Sequence, residues 1–264
     1  NTSKSSSLKE GIIQMDISKK SEVDKILTEK KPQIIINCAS YNNVNDCELY
    51  KKDARSVIID GLNNIIKFSN KDCCVIHISS DYIFNGEKDS YFESDKPDPL
   101  NYYGKLKLEA ENLLISSNRS FSILRCNAVF SHYLDNKSNF FAWVYNNLKE
   151  NKKINVVVDQ SSNPTPVELI NDVVESSIIL NNYGIYNIGT LDSISRYEFA
   201  VKIAEIFNFD SKLIHPVKTR DLDFKAVRPK KTYLNSQKIS KQLNVDVFSI
   251  DYYLNRNKDR VLYE

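Results

Sequence analysis

The chain has 264 residues, 41% of them hydrophobic, and a formal net charge of +2. That length allows one large domain or two small ones with a sizeable core, and the near balance of charge gives no general pull toward nucleic acid or an anionic membrane. Apolar runs such as Ile34-Ile35-Ile36 are far too short to span a bilayer. Residues 1–10 are polar and lack the apolar stretch of a secretory signal, so a cytoplasmic location is expected.

Residues 1–10 read as loop, and 12–17 as a short apolar run ending near Asp16. Ser21-Glu-Val-Asp24 fits a capping box for a helix to about residue 29, closed by Pro32. Residues 33–38 are apolar on both faces, the pattern of a strand in a sheet covered on both sides. Residues 53–68 carry Val57, Ile58, Leu62, Ile65 and Ile66 at helical spacing. A buried strand follows over 73–79, then a loop over 85–100 of a length usually tied to a site. A helix over 100–115, a strand over 121–126 and a helix over 139–148 come next.

Beyond residue 150 the predicted order is a strand at 154–158, a helix at 167–180 and a strand at 185–188. A second capping box, Ser195-Arg-Tyr-Glu198, opens a helix running to 207. A short strand near 213–215 and helices at 236–243 and 249–257 complete the chain. Strand–helix alternation with crossover-length connections predicts an α/β fold with a doubly wound, Rossmann-like parallel sheet. Residues 1–150 are expected to form the dinucleotide-binding domain. Residues 151–264 are expected to be mainly a smaller substrate-binding part interleaved with it. In such sheets ligands lie beyond the carboxyl ends of the strands, here near Asn37–Tyr41, Ser79–Tyr82 and Cys126–Phe130.

Of the five cysteines, Cys38, Cys73 and Cys126 lie in apolar strand-like runs and no C-x-x-C pair occurs. Buried, reduced thiols of an intracellular protein are the expectation. The three histidines are scattered, and no metal site is expected.

The chemistry-bearing stretch is Ile76-His-Ile-Ser-Ser-Asp-Tyr-Ile-Phe84 with Asn101-Tyr-Tyr-Gly-Lys-Leu-Lys107. A Tyr four residues before a Lys occurs three times, at Tyr103–Lys107, Tyr133–Lys137 and Tyr145–Lys149, so spacing alone says little. Only the first follows a buried strand that ends in hydroxyls. Hydride delivery to a ketone builds negative charge on oxygen, which must be protonated. Ser80 is placed to hold that oxygen and Tyr103 to protonate it. A Lys107 ammonium close by is expected to favour the phenolate and to reach the ribose hydroxyls of a nicotinamide cofactor.

On these residues the chain resembles an extended short-chain dehydrogenase/reductase of the dTDP-4-dehydrorhamnose reductase group. It is similar also to the regulatory β subunit of S-adenosylmethionine synthetase. Further matching segments are Met15-Asp16-Ile17-Ser18, Val44-Asn-Asp-Cys-Glu48, Tyr91 with Glu93, Glu111, Leu124-Arg125, Asp159-Gln160, Pro164-Thr165, Tyr197-Glu-Phe199 and Arg228-Pro229. The resemblance implies an NADPH- or NADH-dependent reductase of a nucleotide-linked 4-keto-6-deoxy sugar, with Ser80, Tyr103 and Lys107 as catalytic residues. It implies cofactor contacts from Asp16, Ile17, Ala39, Ser40, Tyr41, Ser79, Tyr103, Lys107 and Asn127, and substrate contacts from Ser80, Asp81 and Tyr82. Read from the residues, Asp16 is equally a helix-start carboxylate, and Asp81 and Tyr82 are equally anchors of their loop. A nucleotide-sugar substrate is the expected partner, with a homodimer or a partner enzyme as the protein-level contact.

The pattern departs from the family in three places. No two glycines have the G-x-x-G-x-x-G spacing that brings backbone N–H groups to a pyrophosphate. The first β-α-β unit is therefore expected to lie outside this sequence, in a preceding segment, the alternative being a protein that has lost cofactor binding. Arg125-Cys-Asn-Ala128 has alanine where the resemblance implies a substrate-stacking aromatic, and Ile58 stands where an asparagine is frequent. The alternative function is a non-catalytic regulatory subunit like the synthetase β subunit.

Overall fold

The structure, a computed structural model, describes residues 2–4, 12–134 and 139–263. Two short strands, β1 (Thr2–Ser3) and β2 (Ile13–Gln14), pair in parallel. Helix α1 (Lys20–Lys30) leads to β3 (Ile34–Asn37). The Ser21–Asp24 capping box does not form, because the N-cap is Lys19, two residues earlier, and Ser21 falls in the first turn of the helix. The Glu22 carboxylate instead accepts the Asp16 N–H at 2.8 Å.

A short helix, α2 (Val44–Leu49), is capped by Asn43, whose side chain accepts the N–H groups of Asn45 and Asp46. The predicted 53–68 helix is α3 (Lys51–Arg55), a π turn over Ser56–Asp60 and α4 (Gly61–Phe68). Gly61 permits close approach, since a Cβ there would overlap the Ile17 side chain. Next come β4 (Cys74–Ser80), α5 (Tyr102–Ile115), β5 (Phe121–Cys126) and α6 (Phe140–Lys149). The chain continues with β6 (Ile154–Val157), β7 (Ser161–Ser162), α7 (Val167–Ile179), β8 (Ile185–Ile188) and β9 (Ile194–Ser195). It ends with α8 (Arg196–Phe207), β10 (Ile214–Val217), β11 (Lys231–Thr232), α9 (Gln237–Leu243) and α10 (Ile250–Tyr263).

The main sheet is parallel, in the order β3-β4-β5-β8. Its register aligns Ser80 with Cys126 and Cys126 with Ile188, so the carboxyl ends of the strands share one edge. Alternation then sorts the side chains. Val75 and Ile123 face α1, α4 and α5, while Cys74, Ile76, Leu124, Tyr186 and Ile188 face α6, α7 and α8. Burying such a Leu or Ile is worth about 1.5–3 kcal/mol each. β8 comes from beyond residue 150 yet completes this sheet.

Smaller sheets stand beside it: β6 with β10 in parallel, and β7 between β11 and the antiparallel β9. At β3 the expected cover on both faces is not complete. Ile36 is 48% exposed, because β3 is the outer strand of its sheet and pairs only with β4 among the described residues. The 85–100 loop is ordered by its own packing, with Tyr91 buried and stacked on Phe84 at 4.3 Å. Among the described residues no helix is long and apolar enough to cross a membrane.

Candidate active site

β4 delivers Ser79 and Ser80 to the carboxyl edge, and a 3-10 turn over Asp81–Ile83 follows at once. The Ser80 hydroxyl caps this turn, accepting the Tyr82 N–H at 3.2 Å and donating to Asp81 Oδ1 at 3.1 Å. Asp81 is buried, and its other oxygen accepts the Thr232 hydroxyl at 2.6 Å. Burial outweighs these hydrogen bonds and pushes its carboxyl up to about 6.

Asn101 starts α5, its side chain accepting the Gly104 N–H at 2.8 Å and donating to the Val227 carbonyl at 2.8 Å. Gly104 is required here, because a Cβ would run into the Tyr82 carbonyl. The first turn of α5 therefore lies against the turn after Ser80. Tyr103 and Tyr82 meet edge to face at 5.9 Å between ring centroids. One turn on, Lys107 is buried and its ammonium donates to the Ile78 carbonyl at 2.6 Å.

The electrostatics correct one expectation from the sequence. Burial pushes the Tyr103 phenol well above its ordinary range, and the nearby Ser80 hydroxyl only partly offsets this. Lys107 is itself pulled down to about 8 by burial, against the field of Glu111. Tyr103 is thus held as a neutral proton donor at neutral pH rather than a phenolate, by desolvation of its phenol.

A buried ion pair lies behind these groups. Glu111, four residues after Lys107 on α5, accepts Arg125 Nη2 at 2.7 Å and Nε at 3.1 Å. Its Oε1 also accepts the Ser79 hydroxyl at 2.5 Å. Arg125 Nη1 continues to the Glu93 carbonyl at 3.2 Å, and Glu93 Oε1 accepts the Asn187 N–H at 2.9 Å. His77 sits on the same side of β4, fully buried, its Nδ1 3.1 Å from the Asn37 side-chain amide. Burial and the Lys107 charge hold it neutral, well below the ordinary histidine range.

These groups open on a cleft of about 370 Å³. It is lined by Ser79, Ser80, Asp81, Tyr82, Tyr103 and Lys107, by Cys38 and Ser40 just after β3, and by Val129, Phe130, Val167 and Arg196. Cys38 is exposed here rather than buried, because it follows the last residue of the outer strand. A wider surface trough of about 570 Å³ by Phe92, Glu93, Lys238 and Lys241 shares no lining residue with the cleft.

Of the residues read from sequence, Ser40, Ser79, Ser80, Asp81, Tyr82, Tyr103 and Lys107 come together in the cleft. The others are placed differently. Ala39 lies at the β3 end, its N–H on Asn37 Oδ1 at 3.2 Å. Tyr41 packs against the α1–α4–α5 core, and its carbonyl accepts the Cys47 thiol at 3.4 Å. Asp16 accepts the N–H and hydroxyl of Ser18 and pairs with Lys4 at 3.0 Å, while Ile17 is core. Asn127 turns its amide N–H groups to Asn163 Oδ1 and the Thr232 carbonyl, away from the cleft lining. Ala128 lines the cleft with a left-handed backbone, φ 40°. Ile58 is buried in the core.

Cys38, Val129 and Phe130 fall inside the strand-end spans read from sequence, whereas Asn42, Val44, Ser131, Asn139, Val167 and Arg196 were missed as cleft residues. The signal for Arg196 was available only in part: the Ser195–Glu198 capping box fixed the helix start, but not that the β7–β9 pairing would carry that start to the cleft.

Comparison with known proteins agrees with this geometry. The chain is 30% identical over 245 residues to dTDP-4-dehydrorhamnose reductase of Aggregatibacter actinomycetemcomitans, covering 88% of this chain and 82% of that protein. It is 26% identical over 233 residues to methionine adenosyltransferase 2 subunit beta of Bos taurus, covering 86% and 70%. The crystal structure of dTDP-4-dehydrorhamnose reductase from Bacillus anthracis str. Ames in complex with NADP superposes with a TM-score of 0.88 at 28% identity, covering 95% of this chain and 90% of that one. The sequence pattern of the RmlD substrate binding domain matches residues 2–259, and the chain belongs to that family.

Proposed function

We propose that this chain is an NAD(P)H-dependent reductase of a nucleotide-linked 4-keto-6-deoxy sugar. The observation that carries the reading is the convergence of Ser80, Tyr103 and Lys107 on one cleft at the carboxyl edge of a parallel sheet. Reductases of this chemistry among the relatives, one of them solved with NADP, support it. The residues at the β3 end fit the nicotinamide-ribose part of such a cofactor: the Ser40 hydroxyl is buried without a partner among the described residues, and the Lys107 ammonium faces the same cleft. When bound, the reduced nicotinamide supplies hydride to the keto carbon.

This chain's own residues do the rest. The Ser80 hydroxyl, fixed by the Tyr82 N–H, turns its one O–H from Asp81 Oδ1 to the keto oxygen when substrate binds. Tyr103, kept protonated by burial, delivers the proton to that oxygen. Lys107 stays cationic below about pH 8 and steadies the phenolate left behind. Asp81 and Tyr82 contact the sugar from the turn, and residues 151–264 form most of the substrate side. We place the enzyme in the cytoplasm, as a homodimer or with a partner enzyme.

The test is loss of nicotinamide absorbance on mixing the protein, NADPH and dTDP-4-keto-6-deoxyglucose. The wild type should turn over and Tyr103→Phe should not; equal rates would remove the assigned mechanism. A second reading, a non-catalytic regulatory subunit, is motivated by Ala128 in place of an aromatic and by the likeness to methionine adenosyltransferase 2 subunit beta. It requires co-purification with a synthetase and no turnover.

A further inference from the structure

The Ser80 oxygen carries one proton and two lone pairs. The proton goes to Asp81 Oδ1 at 3.1 Å, and one lone pair takes the Tyr82 N–H at 3.2 Å. A keto oxygen held by Ser80 claims that same proton. The O–H must then turn away from Asp81, and Asp81 Oδ1 is left facing the second lone pair of Ser80. Two acceptors so close repel each other, and a buried acceptor that loses its donor costs free energy.

Asp81 has little else to turn to. It is 4% exposed, and its other oxygen is already taken by the Thr232 hydroxyl of β11 at 2.6 Å. Tyr82 in its own turn, Tyr103 on α5 and Cys126 on β5 all feel its charge, and burial keeps all three neutral. The Arg196 charge at the start of α8 favours the ionised carboxylate through its field. Arg228 lies over the Tyr82 ring and acts on Tyr82.

A proton on Oδ1 removes the conflict. The carboxylic acid donates to the second lone pair of Ser80, and Ser80 donates to the keto oxygen. The contact between the two residues is kept with its direction reversed, and the Thr232 bond is undisturbed. Hydrogen bonds in series polarise one another, so the Ser80 O–H becomes a stronger donor as negative charge grows on the keto oxygen. We propose that Asp81 takes one proton from solvent when the keto sugar binds, and that as a carboxylic acid it is the positioning residue that aims Ser80. Burial has already brought its carboxyl up to about 6, which favours this uptake near neutral pH. The inference rests on the reading of the cleft as a keto-sugar reductase site and adds a proton linkage to it.

The test is calorimetric titration of dTDP-4-keto-6-deoxyglucose into the full chain saturated with NADP, a complex that cannot turn over. Each titration is repeated at one pH in buffers of different ionisation enthalpy, and the slope of heat against that enthalpy counts protons. The wild type should take up at least about 0.3 proton per sugar bound between pH 6 and 7.5, fading below about pH 5, where Asp81 is protonated beforehand. dTDP, which has no keto oxygen, should draw none. Asp81→Asn should bind the keto sugar without uptake, because its amide is a donor that does not titrate. Ser80→Ala should show none either, because no bond is reversed. Keto-sugar binding without uptake by the wild type overturns the proposal and leaves the reductase reading intact. So does an uptake undiminished in Asp81→Asn, which assigns the proton elsewhere. The wild-type titration decides alone if circular dichroism shows a variant to be unfolded. A wild type that does not bind the keto sugar overturns both readings.

Discussion

The Lys107 ammonium donates to the Ile78 carbonyl, two residues before Ser80, at 2.6 Å. This bond fastens α5 to the strand that carries the reactive serine. Because Tyr103 sits one turn earlier on α5, the same bond sets where its phenol meets Ser80. Replacing Lys107 with Met should abolish turnover. At pH 7 it should leave the fold as stable as before, or up to roughly 2 kcal/mol more stable, since a buried ammonium with a depressed pKa costs stability when charged. Chemical denaturation beside a turnover assay checks both halves; a collapse of the fold would show that the charge is structural instead.

Tyr103→Phe should lower kcat by about 10²–10⁴-fold, the usual worth of a positioned proton donor. Ser80→Ala should lower it by roughly 10²-fold or more through loss of the oxyanion contact. Neither should change NADPH affinity more than slightly. Calorimetric Kd values beside kcat separate a chemical role from a binding one.

The pH dependence has a definite sign. Lys107 is drawn down to about 8 in the folded protein from an ordinary value near 10.5. Its cation is present below pH 8 and lost above, so kcat should fall as pH passes through about 8. The stability contribution runs the other way: the penalty of the buried charge is full below about pH 8 and fades toward pH 10.5. Asp81 is raised to about 6 from 3.8, so its favourable neutral form is fully present below pH 3.8 and lost as pH rises through 6. Asp81→Asn should flatten the pH dependence of unfolding free energy between pH 4 and 6.

Glu111→Gln should destabilise by about 3–5 kcal/mol, because it leaves the buried Arg125 guanidinium unpaired. It also removes the carboxylate field that opposes the drop in the Lys107 pKa. The alkaline limb of the kcat profile should therefore move to lower pH in whatever fraction remains folded. Adding Arg125→Met should restore much of the stability without restoring that limb. A limb unmoved in both variants would confine Glu111 to packing.

Gly104→Ala tests the approach of α5 to the catalytic turn. An added Cβ must displace the Tyr82 carbonyl or lift the first turn of the helix. A destabilisation of about 1–3 kcal/mol is expected from such overpacking. A larger fall in kcat than in stability at the assay temperature is expected with it, because Tyr103 moves with the turn. The same exchange at Gly184, where the nearest atom to an added Cβ is 3.8 Å away, should be nearly neutral.

Much of the α/β order was legible because apolar runs bounded by polar turns define buried parallel strands: β5 and β8 fall where the sequence placed them. α2 escaped notice because it is six residues long with Cys47 as its buried residue, too short to show a period. The π turn at Ser56–Asp60 is invisible to a periodicity argument, since the apolar positions on either side keep helical spacing. Ser80, Tyr103 and Lys107 could be singled out because their chemistry needs a strand end and a helix start. Arg196 could not, because its place depends on pairings between segments more than 30 residues apart in sequence, Ser161 with Ser195 among them. The state of Tyr103 was misjudged for the same reason: the number of atoms that cover a phenol is a property of the tertiary structure.

β8 carries a consequence for synthesis. The fourth strand of the main sheet is drawn from residues 185–188, and its neighbour β5 ends at Cys126. A ribosome must therefore release the chain through Ile188 before the central layer can close. A product halted at residue 150 would display the β5 border and one whole side of the layer to chaperones and proteases, so cutting the gene at that point should yield two insoluble pieces rather than two modules.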